Sequence, residues 1–105
     1  MLDYTQRVKK ALVVKLADKT VVQIGAPKKK LFSKLAGLEK SLKATDDIEL
    51  LYNDILSVTA DILSNNIERK LFTEDDVDAI MDIEDMALLV REYAIFAKGL
   101  TNDPN

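Results

Sequence analysis

Residues 73–85 read Thr-Glu-Asp-Asp-Val-Asp-Ala-Ile-Met-Asp-Ile-Glu-Asp, and seven of these thirteen side chains are carboxylates. Acids at that density can hold calcium, share a proton as a catalytic pair, or begin helices. A calcium-binding helix–loop–helix needs oxygen ligands at loop positions 1, 3 and 5, Gly at 6 and Glu at 12. Counted from Asp76, those places hold Asp76, Asp78, Ile80, Met81 and Ala87; counted from Asp75, the second ligand position is Val77. Neither register supplies the ligand set. No spacing rule excludes a catalytic carboxylate pair, but acids without a recognisable partner are ordinarily solvated. The third reading accounts for more residues. Thr73 suits a helix N-cap, with Glu74, Asp75 and Asp76 at the positive end of a short helix that buries Leu71 or Phe72 with Val77, Ile80 and Met81. Asp82 then caps a second helix, with Glu84 and Asp85 in its first turn.

The rest of the chain offers little other chemistry. It has no Cys and no His, which removes disulfides, thiolate chemistry, most zinc and iron sites and the commonest general base near neutral pH. Ser33, Ser41, Ser57 and Ser64 have no His to activate them, and no Gly-rich phosphate loop exists. The chain is therefore read as non-enzymatic, without cofactor or metal.

A sequence of 105 residues with 48% apolar and 31% charged side chains fits one globular domain. No apolar run approaches membrane-spanning length and the N-terminus lacks the apolar segment of a signal peptide, so the expectation is a cytoplasmic protein. Charge is divided along the chain: residues 1–45 carry +8 and residues 46–105 carry −11. Such a division suits nucleic-acid binding, or the steering of a protein partner or a second copy into one orientation.

The elements that must position any site follow from periodicity. Ala11–Leu16 and Thr20–Ile24 are rich in β-branched residues and are separated by three residues, as in a hairpin. Leu12, Val14, Leu16, Val22 and Ile24 fall on one face, with Lys15 and Gln23 on the other. Pro27 suits a first helical position, and a helix over 27–42 carries Leu31, Phe32, Leu35, Leu38 and Leu42 at spacings of three and four, with Gly37 weakening its interior. Lys28, Lys29 and Lys30 oppose that helix's dipole, so either a compensating partner or a solvated basic face is expected.

Asp46, with Glu49 three residues on, marks the start of the clearest helix. Its stripe is Ile48, Leu51, Tyr52, Ile55, Thr59 and Ile62, widened by Leu56, Ala60 and Leu63, which makes it the central core element. Asn65-Asn66 suits a left-handed helix end. A last helix over 83–98 carries Met86, Leu89, Val90, Tyr93, Phe96 and Ala97, with Gly99 as its cap. The predicted fold class is α+β, mostly α: a β-hairpin region (1–25), a core of about four helices (26–100) and a flexible tail (101–105), in one domain.

From about Ala26 to Asn105 the order and spacing of these segments resemble the tail assembly chaperones of long-tailed phages and prophages. The resemblance covers roughly three quarters of the chain and lies in PKKKLFSKLAGLEKSL, IELLYNDILSVTADILSNN, LFTEDDVDAIMDIEDMALLVREYAIFAKGL and the terminal Asn-Asp-Pro-Asn, where Asp103 interrupts the Asn-Pro-Asn ending common in that family. It implies a factor without catalysis or cofactor, active in virion morphogenesis, that binds the helical tape measure protein, keeps it soluble and helps recruit tail tube protein. It further implies location in the bacterial host cytoplasm, absence from the mature virion and, in many members, a longer frameshifted form.

A helix-in-groove mode would then serve the client. Candidate contacts are Met86, Leu89, Tyr93 and Phe96, each of which is otherwise a core residue, together with Lys28, Lys29 and Lys30. The basic and acidic halves would align copies head to tail if the chain self-associates. Two rivals stand beside this reading: a nucleic-acid-binding regulator using the basic N-terminal half, opposed by the acidic second half, and a structural tail component retained in the virion.

Overall fold

The computed structural model describes residues 10–44 and 46–102. A two-stranded antiparallel hairpin, β1 (Leu12–Lys15) and β2 (Val21–Ile24), precedes four helices: α1 (Lys29–Ala44), α2 (Ile48–Ser64), α3 (Glu74–Ile80) and α4 (Ile83–Asn102). The predicted hairpin and four helices are all present.

The hairpin register pairs Leu12 with Ile24 and Val14 with Val22, so Leu12, Val14, Leu16, Val22 and Ile24 face inward as their alternation requires. Beyond the strands Leu16 N–H donates to the Thr20 carbonyl, and the three residues between that pair make the loop: the Leu16 carbonyl accepts from the Lys19 N–H, and Lys19 takes the left-handed conformation, φ 71°. That is a tight turn followed by a bulge residue, the usual three-residue hairpin loop.

α2 is the element on which the others rest, packing against α1, α3, α4 and β2. Its buried residues Ile55, Val58, Thr59, Ala60, Ile62 and Leu63 occupy more than one side, as a helix with neighbours all round requires. α1 contributes Leu31, Leu35 and Leu38 to the core, and α4 contributes Met86, Leu89, Tyr93 and Ala97. The body measures 50 × 31 × 18 Å, about two layers of secondary structure thick. No helix among the described residues is long and apolar enough to cross a membrane.

Several boundaries differ from expectation, each for a local reason. α1 starts at Lys29, with its first bond from the Phe32 N–H to the Lys28 carbonyl, so Pro27 precedes the helix. Phe32 and Leu42 are 56% and 50% exposed, and only one α1 face reaches α2. The α2 cap is Asp47, whose carboxylate accepts from the Leu50 N–H at 3.1 Å. Ile48 is exposed in the first turn. Asn65 ends α2 without left-handed geometry (φ −84°), its backbone N–H meeting the Asp61 and Ile62 carbonyls. Gly99 lies inside α4, which continues through Thr101 and Asn102; the rest of the expected tail lies outside the described residues.

The acidic cluster behaves as two caps. Thr73 and Asp76 form a reciprocal capping box on α3, and Asp82 and Asp85 exchange the same pair of bonds at the start of α4. The Thr73 bonds hold the Asp76 carboxyl below its usual range. Phe72 packs on the core while Leu71 is exposed, which resolves the alternative between them.

Polar bonds tie the hairpin to the helices. The Asn65 amide donates to the carbonyls of Gly25 and Ala26, each at 3.1 Å, and to the Tyr93 hydroxyl at 3.2 Å. The Tyr93 hydroxyl in turn donates to the Gly25 carbonyl at 2.7 Å. Ser64 both accepts from the Phe72 N–H and donates to its carbonyl, and buried Asn66 bonds Leu63 and Lys70. Ser-Asn-Asn therefore joins α2 to β2, to α4 and to the segment entering α3.

Thr59 is the exception, a fully buried residue whose Oγ1 has no hydrogen-bond partner. Its isosteric replacement Thr59→Val removes an unsatisfied hydroxyl and keeps the volume. Thermal or denaturant unfolding should show a gain of about 1 kcal/mol.

Burial raises the Tyr93 pKa above the ordinary tyrosine value, partly offset by the Asn65 bond. A group whose folded pKa is raised contributes stability that is fully present below its unfolded pKa. That contribution is lost as pH rises through the folded value. Denaturation followed from pH 9 to 12 should show stability falling once pH passes about 10. Tyr93→Phe should flatten that decline while costing about 1 kcal/mol at neutral pH through the lost hydroxyl bonds.

Candidate partner-binding surfaces

The residues singled out in the sequence separate into two groups. Met86 and Tyr93 are completely buried, Leu89 nearly so, and Phe96 is partly buried with its ring 5.9 Å from that of Tyr93. These four form the inner stripe of α4, lying against the α2 core. They pack in the core, and a partner could reach Met86 or Tyr93 only if the domain opened. Period alone had marked an apolar stripe without saying which side of it faces the body. Lys28, Lys29 and Lys30, by contrast, are all exposed.

Two surfaces remain accessible. The first is α1, where exposed Phe32 lies on a flank beside the stripe of Leu31, Leu35 and Leu38, exposed Leu42 continues that stripe past its last buried residue, and Lys28, Lys29, Lys40 and Lys43 are exposed nearby. Lys34, on the flank nearer α2, is engaged: its Nζ pairs with Asp61 and donates to Ser57 Oγ at 2.9 Å. The inner lysine is thus spent on holding α1 to α2, and the others present their charge outward.

The second is an open cleft of about 440 Å³ between β1 and the start of α4. Leu12, Val14 and Leu16 line one side, and Ile80, Met81 and Leu89 line the other. Its rim carries Val13, 63% exposed, and Leu88, 58% exposed, with Asp85 and Glu92 on the α4 side. Sequence reasoning passed over Leu88 because it lies off the α4 core stripe. Its signal was a pair of apolar residues, Leu88 and Ile95, on a face otherwise bearing Glu84, Arg91 and Glu92.

The hairpin edges differ. At the outer edge of β2, Ile67 N–H donates to the Gln23 carbonyl at 2.9 Å, Gln23 N–H donates to Glu68 at 3.0 Å, and Gly25 N–H donates to the Asn65 carbonyl at 3.0 Å. The edge of β1 beside the cleft has no such cover among the described residues.

No group of acids among the described residues has the geometry to hold a metal ion. Tyr52 donates to Asp78 at 2.6 Å, and that carboxylate raises the tyrosine's pKa. The contact lies between α2 and α3 and strengthens their packing. No family model, curated protein or solved structure matches this chain.

At the hairpin tip Lys19 holds a left-handed conformation that costs an L-residue about 1–2 kcal/mol. Lys19→Gly should relieve most of this and return part of it as unfolded-chain entropy. A net gain of about 0.5–1 kcal/mol in denaturant unfolding is expected.

Proposed function

We propose that this chain is a non-enzymatic tail assembly chaperone of a long-tailed phage or prophage. In this reading it binds the tape measure protein in the host cytoplasm, keeps it soluble, helps recruit tail tube subunits and leaves the finished tail. The sequence resemblance from Ala26 to Asn105 supplies the class of client.

The observation that carries the physical side is the pair of exposed apolar side chains on α1. Phe32, on a flank, and Leu42, where the core stripe runs out, are large apolar residues left half exposed on a helix whose main neighbour is α2. Lysines surround them. A client helix with an apolar stripe and acidic margins would bury these two side chains and neutralise Lys28, Lys29 and Lys30, whose placement in a first turn is unfavourable without a counter-charge. The client contact is thereby assigned to α1 in place of the α4 stripe.

Co-expression with the tape measure protein of the same gene cluster tests the reading. The wild-type chain should bring the client into the soluble fraction and copurify with it. The double variant Phe32→Ser, Leu42→Ser should lose most of that recovery, with its melting temperature nearly unchanged because both sites are on the surface. No recovery with the wild-type chain would overturn the chaperone reading. Equal recovery with the double variant would move the client site away from α1.

A further inference from the structure

The hairpin is a sheet of two strands in which, among the described residues, one edge is covered and the other is open. Leu16 N–H bonds the Thr20 carbonyl, and these residues are opposite one another in the register that pairs Lys15 with Val21. Leu16, Val14 and Leu12 therefore turn their backbone groups toward β2. Val13 and Lys15 turn theirs away from it, and Gln23, opposite Val13, does the same on the other side, where Ile67 and Glu68 meet it. On β1 the corresponding N–H and C=O groups of Val13 and Lys15 meet no partner among the described residues. An open edge of this kind is a template for an added strand, and natural domains ordinarily cover or charge it.

We propose that the β1 edge pairs with β1 of a second copy, forming a two-fold, four-stranded antiparallel sheet in the order β2–β1–β1–β2. An axis through Val14 sets Val13 of each copy opposite Lys15 of the other. Both outward N–H groups and both outward C=O groups of each strand are then used.

Three features favour a second copy over an unrelated extended peptide. The outward pairs are self-complementary about a residue, which is what an isologous interface needs. The register places each Lys15 across from Val13 and so avoids a direct lysine–lysine pair, which would be destabilising. The cleft into which each β1 would enter is lined by two acids, Asp85 and Glu92, and by one cation, Lys15, so the Lys15 of the entering strand balances the remaining negative charge. Val13 and Leu88, both more than half exposed at the rim, are the apolar side chains available for burial. This pairing is independent of the α1 surface and of any client.

Proline provides a selective test. Its missing N–H is harmless to β1–β2 pairing at position 13, where the donor points outward, and removes a donor from the intermolecular ladder. Sedimentation of the full chain over a range of concentrations should show a reversible dimer. Val13→Pro should weaken it by about tenfold or more, through two lost bonds per dimer, and Val13→Thr should retain it. Both variants should keep the monomer's circular dichroism spectrum.

Amide hydrogen exchange gives a second readout that needs no variant. The amides of Val13 and Lys15 should gain protection as concentration rises, and those of Leu12 and Val14 should be protected throughout. A chain that stays monomeric at every concentration would overturn the proposal. So would a dimer unaffected by Val13→Pro, or one that forms without slowing exchange at Val13 and Lys15.

Discussion

The Gly25 carbonyl accepts hydrogen bonds from the Asn65 amide and the Tyr93 hydroxyl, at the point where the hairpin, α2 and α4 meet. A lone two-stranded hairpin is marginal in water and needs a surface to cover it. Here the apolar face of the hairpin supplies Val22 and Ile24 to the core, and this polar junction sets the angle at which they enter. Tyr93 is completely buried, so its hydroxyl must be satisfied inside the domain; Gly25 and Asn65 provide that satisfaction at the end of β2. With Asn65 held there, the backbone after it runs beside β2 and covers that strand's outer edge. The asymmetry between the covered edge of β2 and the open edge of β1 follows from the same junction.

α2 explains how a body this thin can be held together. A helix with neighbours on several sides buries residues that a two-sided helix would expose, and Val58, Thr59 and Ala60 are consecutive buried positions. Helices placed around a central one each bury a single stripe and leave the opposite side to solvent. Phe32 of α1 and Leu88 of α4 are exposed off the buried stripes, and Leu42 is exposed where the α1 stripe runs past its last buried residue, Leu38. Charge is arranged on the same plan: Lys34 reaches inward to Asp61 and Ser57, and the other lysines of α1 stay outside.

The acidic stretch that first suggested a site proves to be punctuation. Two reciprocal boxes, Thr73 with Asp76 and Asp82 with Asp85, start helices in immediate succession, separated by a break at Met81 and Asp82. Asp76, Asp82 and Asp85 each accept an N–H that a helix start would otherwise leave unpaired, and Glu74, Asp75 and Glu84 lie at the positive ends of the two helices, which is why so many acids can share one segment. The apolar residues between them, Val77 and Met86 above all, fix both helices to the core.

Local pattern was enough for much of this. Strand alternation, the two helix caps at Thr73 and Asp82, the central position of α2 and the inward stripe of α4 all depend on residues within one or two turns of each other, and they could be read from spacing. Boundary details were harder: adjacent aspartates competed for one cap, and Gly99 could end a helix or continue it. The surfaces available to partners were not legible, because exposure is a property of what packs on a face. Met86, Leu89 and Tyr93 have the same apolar character as Phe32, Leu42 and Leu88. Only the tertiary structure decided that the first three lie against α2 and the last three face water. It also decided that the β2 edge is paired with a loop forty residues away in sequence while the β1 edge has no partner among the described residues, a choice set by long-range hydrogen bonds of Asn65 and Gln23 that leave no local signature.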